Sequence, residues 1–245
     1  MPRSKSLSTE RPFGRVLCAT DVRSGGQDER EERETLVEVR LDPLALEAMV
    51  LSVLEGYLSP RKDRRKGYEV YGINFGAARQ YRRHTPREGL RTTRSINVMR
   101  AQPQLSADGS YGFVEPNTVS LRAMLPAART IYPRYQVIGD FHSHPYDSLG
   151  ALEFHRGWRY TRTDERSNID VARTLVDLHQ RSLVTFVLAI ARCSQRPHRR
   201  LFRRLPNTRQ LSVGGCRIIL AAYRCLASGR LSAQNVHLHL SERST

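Results

Sequence analysis

Gln136-Val137-Ile138-Gly139-Asp140-Phe141-His142-Ser143-His144-Pro145 is the stretch on which the reading of this chain turns. Its β-branched and aromatic residues specify a strand, and Pro145, which has no N–H to give a ladder, is expected to end it. Side chains alternate faces along a strand, so His142 and His144 project from one side. Two imidazoles so placed can grip one metal ion. A catalytic zinc site adds a carboxylate and a water, and the carboxylate must come from another element. Ser167-Asn168-Ile169-Asp170 opens a predicted helix over residues 167–179, with Ile169, Ala172, Leu175, Val176 and Leu178 as its apolar set. Asp170 lies in its first turn, where it can face back toward the strand. The same four residues also read as a capping arrangement, with Ser167 at the N-cap and Asp170 at N3.

Outward from this block, strands and helices alternate, which favours one α/β domain over residues 35–245. Residues 36–41 read as a partly alternating strand. Asp42 offers an N-cap and Pro43 a first helical residue, followed by Leu44, Met49, Leu51, Leu54 and Leu58 at roughly helical spacing. Residues 68–76 form an extended, glycine-bounded segment that carries Glu69. Further strands are expected over 96–99, 118–121, 183–191, 217–223 and 236–240, with a short helix over 123–131. Residues 146–166 read as an irregular insertion containing Trp158 and Tyr160. Residues 1–34, punctuated by Ser, Pro and Gly and then by a mixed-charge run, read as a poorly ordered arm.

Composition narrows the class. The chain has 245 residues, 39% of them hydrophobic, enough for a sizeable core. Its longest near-apolar run, 183–191, falls well short of the ~18 residues of a membrane-spanning helix. The expected sequence of a secretory signal is absent from its start. Cys18, Cys193, Cys216 and Cys225 are scattered and form no CxxC pair, which speaks for a reducing, cytoplasmic setting rather than a disulfide scaffold. The net charge is +16, and Lys5, Lys62 and Lys66 are the lysines, so the surplus is arginine. Basic clusters at 61–66, 79–94 and 196–204 attract polyanions non-specifically. They read as solvated faces, without the interleaved aromatics of a single-strand platform. A second His-x-His pair, His237 and His239, reads as structural or surface, since no acidic helix start follows it.

Three blocks together, Glu69-Val70-Tyr71-Gly72-Ile73-Asn74-Phe75-Gly76, His142-Ser143-His144-Pro145 and Ser167-Asn168-Ile169-Asp170, resemble the signature of the JAMM (MPN-type) zinc metalloproteases. The resemblance covers about residues 36–192. It implies an MPN/JAB-type domain, a cytidine-deaminase-like α/β fold with a mixed, mostly antiparallel central sheet flanked by helices. It also implies zinc held by His142, His144 and Asp170, Glu69 as general base, and Ser167 as a hydroxyl donor to the oxyanion. Such enzymes cleave peptide or isopeptide bonds beside the C-terminal tail of ubiquitin-like or small sulfur-carrier proteins. The spacing departs from the family, which places about seven residues between the proline and the serine. Asp147 and Asp164 are therefore reserve ligands, and 146–166 is a substrate lid or a surface decoration. Asp140 shares the face of both histidines and is a candidate to orient them. Two other classes remain open: an inactive MPN-type scaffold, and a basic nucleic-acid-binding protein.

Overall fold

In a computed structural model of the chain, residues 34–59, 67–85, 89–105, 107–110, 113–177, 182–193, 205–226 and 228–241 are described. The expected arm, apart from Glu34, and the basic clusters at 61–66 and 196–204 lie outside them. Strand β1, Leu36–Leu41, buries Val37, Val39 and Leu41 on one side. Helix α1, Pro43–Leu58, starts where the sequence places it: the Asp42 side chain accepts the Leu44 N–H at 2.9 Å, and Pro43 occupies the first turn. Its buried stripe is Ala45, Met49, Val53 and Tyr57, a four-residue repeat, while Leu44, Leu51 and Leu58 face solvent. The expected leucine face is therefore rotated. Small Ala45 lets the helix lie close to the sheet.

The remaining elements are β2 (Tyr71–Thr85), β3 (Gly89–Pro103), β4 (Asp108–Ser110), β5 (Phe113–Glu115), α2 (Thr118–Ile131), β6 (Gln136–Tyr146), α3 (Leu149–Phe154), α4 (Arg162–Asp177), β7 (Val184–Arg192), β8 (Thr208–Val213), β9 (Cys216–Cys225), β10 (Leu231–Ser232) and β11 (Val236–Leu240). The expected strand at 118–121 is instead the first turn of α2, whose start is fixed by Asn117 accepting the Ser120 N–H at 2.9 Å. Among the described residues the result is a mixed α/β fold with one large sheet and four helices. Nine strands form that sheet, in the order β10-β9-β7-β6-β2-β3-β1-β11 with β8 beside β9. Pairs β1–β3, β1–β11 and β6–β7 are parallel; β2–β3, β2–β6, β7–β9, β8–β9 and β9–β10 are antiparallel. The Leu238 N–H donates to the Pro206 carbonyl at 2.9 Å, so the β11 edge curls back toward β8.

One face of the sheet packs on α1, where Val39, Val53, Ile96, Phe141, Phe186 and Leu188 meet. The other packs Tyr71, Ile73, Phe75 and Val137 against Leu121 and Leu125 of α2 and Val171 and Leu175 of α4. A bulge in β6 sets which residues of the motif strand reach this second face. Asn74 pairs with Gly139 but Phe75 with Val137, so Ile138 is the extra residue. Ile138 points into the α1 core, and Val137, Asp140, His142 and His144 all fall on the opposite face. The bulge requires glycine next to it. A Cβ on Gly139 would lie 1.7 Å from the Val184 carbonyl oxygen of β7, and its φ is 154°. Gly139→Ala is expected to cost about 3 kcal/mol, the upper part of the overpacking range, measured as a fall in the denaturant midpoint of unfolding.

Candidate metal centre

The site is built where β2 and β6 end their pairing. Tyr71 lies opposite His142. One residue further, the Ser143 N–H donates to the Val70 carbonyl, and the Val70 N–H donates to the Ser143 hydroxyl, both at 2.9 Å. Continuing that register places Glu69 opposite His144. Antiparallel partners share a face, so Glu69 and the two histidines gather on one side. All three are buried, and the imidazole rings stand 5.0 Å apart. Glu69 precedes β2 rather than sitting inside it, a small departure from the expected strand.

The carboxylate that completes the group is Asp164. Its Oδ1 is 3.5 Å from His142 Nε2 and its Oδ2 is 3.4 Å from His144 Nε2. The three ligand atoms lie within 4.8 Å of one another. Donors on a tetrahedral ion with bonds of ~2.0–2.1 Å stand ~3.4 Å apart, so the observed gaps suit a metal. His142 Nε2 is buried and makes no hydrogen bond. His144 Nδ1 lies 2.7 Å from the Gly157 carbonyl, to which it donates as N–H, so in the neutral ring Nε2, which faces Asp164, carries the lone pair that a cation between them would take. That carbonyl, and not Asp140, orients this ring. Asp140 instead accepts from the Tyr71 hydroxyl at 3.3 Å.

Asp170, the ligand expected from sequence, is not part of the group. It is 69% exposed and pairs with Arg173 at 3.4 Å, whereas Asp164 is 11% exposed. The reason is the start of α4. That helix begins at Arg162, five residues before the expected start, with Thr161 and Asp164 in a reciprocal cap: the Asp164 N–H donates to the Thr161 hydroxyl at 3.2 Å, and the Thr161 N–H to Asp164 Oδ2. Asp164, Asn168, Val171 and Leu175 then repeat along the buried face, and Asp170 and Arg173 fall on the wet one. Ser167 follows Asp164 by one turn and lines the same cleft with Tyr71, Asp140, His142 and Thr185. Asn168, unremarked in the sequence, anchors the helix by donating to the Gly229 carbonyl at 2.7 Å and accepting from Thr185 at 3.1 Å.

Residues 146–166 are consequently neither irregular nor a decoration. They hold α3, the turn that gives Gly157 to His144, and the first residues of α4. Trp158 and Tyr160 pack on β7 and β9, with the Tyr160 hydroxyl donating to the Leu231 carbonyl at 2.9 Å. Removing 148–164 would take Asp164 and the Gly157 carbonyl away from the two histidines. The second His-x-His pair lies on β11 with both rings exposed, and among the described residues it joins no metal-binding group.

Electrostatics around the group show too much buried acid. Burial pushes the Glu69 carboxyl up to about 7, against the pull of His144 and His142 and with the help of Asp164. Burial likewise raises Asp140. For His142, burial opposes the charged form, but Asp164, Glu69 and Asp140 outweigh it and raise its pKa. Burial works against ionised Asp164 too, yet the two histidines hold it far below the usual carboxylate range. A divalent cation bound there would displace the proton that these neighbours help His142 to hold.

Metal analysis checks the assignment. The parent chain and Asp170→Ala are expected to hold about one divalent metal per chain, and His142→Ala and Asp164→Ala to lose it. Because the metal competes with protons for His142, affinity is expected to fall as pH drops through the histidine range, by about tenfold per unit for each proton displaced. The sequence matches no protein-family model and no curated protein.

Proposed function

We propose that this chain is a zinc-dependent hydrolase of amide bonds, similar in its machinery to the JAMM (MPN-type) metalloproteases. The observation that carries this reading is the meeting of Glu69 with His142, His144 and Asp164, brought from three separate parts of the chain to one buried point. Two histidines and one carboxylate are a catalytic rather than a structural zinc set, because they leave a coordination position open. When bound, such an ion supplies Lewis acidity, polarising an amide carbonyl and acidifying water.

The protein's own groups do the rest. Glu69, kept dry and drawn toward a neutral pKa, is suited to take the proton of the attacking water and deliver it to the leaving amine. Ser167 lines the cleft beside Asp164 and is the hydroxyl assigned to the carbonyl oxygen as it gains charge. It stands three residues after the ligand, whereas the family's serine stands three before. The hydroxyl at that earlier position, Thr161, is used in capping the helix. His144 is held in one tautomer by Gly157. Substrates of the resembled family point to the extended C-terminal tail of a ubiquitin-like or sulfur-carrier-like protein, which can add to a sheet through main-chain hydrogen bonds.

The test is a panel of ubiquitin-like and carrier-protein amides incubated with the zinc-loaded chain. Glu69→Gln is expected to keep its zinc while turnover falls by about 10²–10⁴-fold, the usual contribution of a positioned base. Ser167→Ala is expected to lower kcat by ~10²-fold with little change in metal content. A Glu69→Gln protein that turns over as fast as the parent would refute the proton-transfer role.

A further inference from the structure

The face of the sheet that carries the metal centre is only half covered. Helices α2 and α4 lie over Tyr71, Ile73 and Phe75. Further along β2, the same alternation puts Arg79 and Tyr81 on that face, and both are exposed. The register then carries the face across three more strands: Arg79 pairs with Ser95, Ser95 with Glu38, and Glu38 with His237, while Arg40 pairs with His239. Arg91 of β3 shares the side of Ser95. Arg40, His237 and His239 are exposed, while their strand neighbours Val37, Val39, Val236 and Leu238 are buried against the core. These four strands are thus amphipathic, with a dry side on α1 and a wet side that the described helices leave open.

That wet side alternates cations with ring systems. Tyr81 stands 41% exposed between the arginines, and its hydroxyl donates to Glu38 at 3.4 Å, which holds the ring over the sheet. Arg40 pairs with the same carboxylate at 3.6 Å. Glu38 brings one carboxylate to this patch. The balance is positive: burial lowers the His239 pKa, Glu38 opposes this, and Arg209, His237 and Arg40 push it down further. Reading residues 79–94 along the sequence hides this arrangement, because the strand pleat is what brings Arg79, Tyr81 and Arg91 to one side.

We propose that the open face of β2, β3, β1 and β11 binds a single strand of nucleic acid, with phosphates on Arg40, Arg79 and Arg91 and bases stacked on Tyr81, His237 and His239. Guanidinium groups meet phosphate through paired N–H donors, and a single strand offers base faces to the rings. A duplex keeps its base faces stacked inside and cannot use them. An acidic polypeptide would meet the arginines but leave the rings unused. The chain's +16 charge favours any polyanion; the rings select this one.

Fluorescence anisotropy of the full chain with labelled U15, dT15 and a 15-base-pair duplex, between 50 and 300 mM salt, tests it. Both single strands are expected to bind at least ~10-fold more tightly than the duplex, with log affinity falling against log salt at a slope of roughly −2. Tyr81→Ala is expected to weaken single-strand binding roughly 5- to 150-fold, while Tyr81→Phe keeps it, because the ring and not the hydroxyl stacks. Arg40→Ala and Arg79→Ala should each flatten the salt slope by about 0.7. Near-ultraviolet circular dichroism checks that each variant is folded. Binding that survives Tyr81→Ala unchanged, or equal affinity for duplex, would place the contact on other arginines and overturn the proposal. So would competition by poly-glutamate as strong as that by unlabelled U15. Binding lost in Tyr81→Phe as fully as in Tyr81→Ala would also overturn it.

Discussion

A carboxylate held between two imidazoles away from water is the constraint that the rest of the site answers to. Taking an ion out of water costs several kcal/mol even after the protein relaxes. Three carboxyl groups, Asp164, Glu69 and Asp140, are withdrawn here against two imidazoles. The protein meets the excess acid unevenly. Asp164, in direct contact with both rings, stays ionised, whereas Glu69 and Asp140, farther from positive charge, are driven toward their neutral forms. A divalent cation relieves the imbalance in one step, because it replaces shared protons with two full charges at the point where the ligand atoms converge. The arrangement is costly without a cation and satisfied with one.

Topology explains why the third ligand comes from where it does. Strands β6 and β7 are parallel neighbours, so the chain leaving β6 at Tyr146 must travel back along the sheet before it can enter β7 at Val184. Such a return takes a dozen residues or more and usually a helix. The return helix is α4, and it must begin near the carboxyl end of β6, where His142 and His144 lie. Its first turn therefore arrives at the histidines. Asp164 sits in that turn, where the unpaired backbone N–H groups and the helix dipole also favour negative charge. A ligand placed nearly two turns later, as Asp170 is, has rotated to the outer face.

The histidine strand, the capped start of α1 and the glutamate segment were legible because each depends on local chemistry: a pleat, an N-cap, a glycine-bounded strand. The start of α4 was not. Ser167-x-x-Asp170 and Thr161-x-x-Asp164 are both sound capping patterns, and nothing within either tells them apart. Periodicity does. Counting from Asp164 gives Asn168, Val171 and Leu175 on one face, all buried, while the set built on Ile169 and Val176 includes a valine that is 58% exposed. Polar Asn168 and Thr174 sit on the buried face and blur the pattern, because their hydrogen bonds and close packing are tertiary facts. The α1 stripe was misread for the converse reason. Leucines look like core, but Ala45 and Val53 permit closer contact with the sheet, so the leucines were left outside. Gly157 could not be found at all from sequence, since its contribution is a backbone carbonyl.

Burial, more than residue type, divides the work of this sheet. The same strand, β2, runs from the dry half of one face to the wet half. Near its start, helices exclude water, so electrostatic interactions are strong and little screened, and a carboxyl can be tuned to about 7. Roughly ten residues on, some 30 Å along the strand, water surrounds the side chains, and charges there are screened within about 8–10 Å. Arginine is suited to the second setting and would serve poorly in the first, where its fixed charge could not be given up to a proton balance. Histidine appears in both, and its setting decides what it can offer: buried and carbonyl-bound at 144, where Nε2 is free to offer a lone pair to a cation, and open at 237 and 239, where the ring is exposed to water. Two His-x-His pairs on one sheet face thus have different chemistry because one lies under α4 and the other lies under none of the described helices.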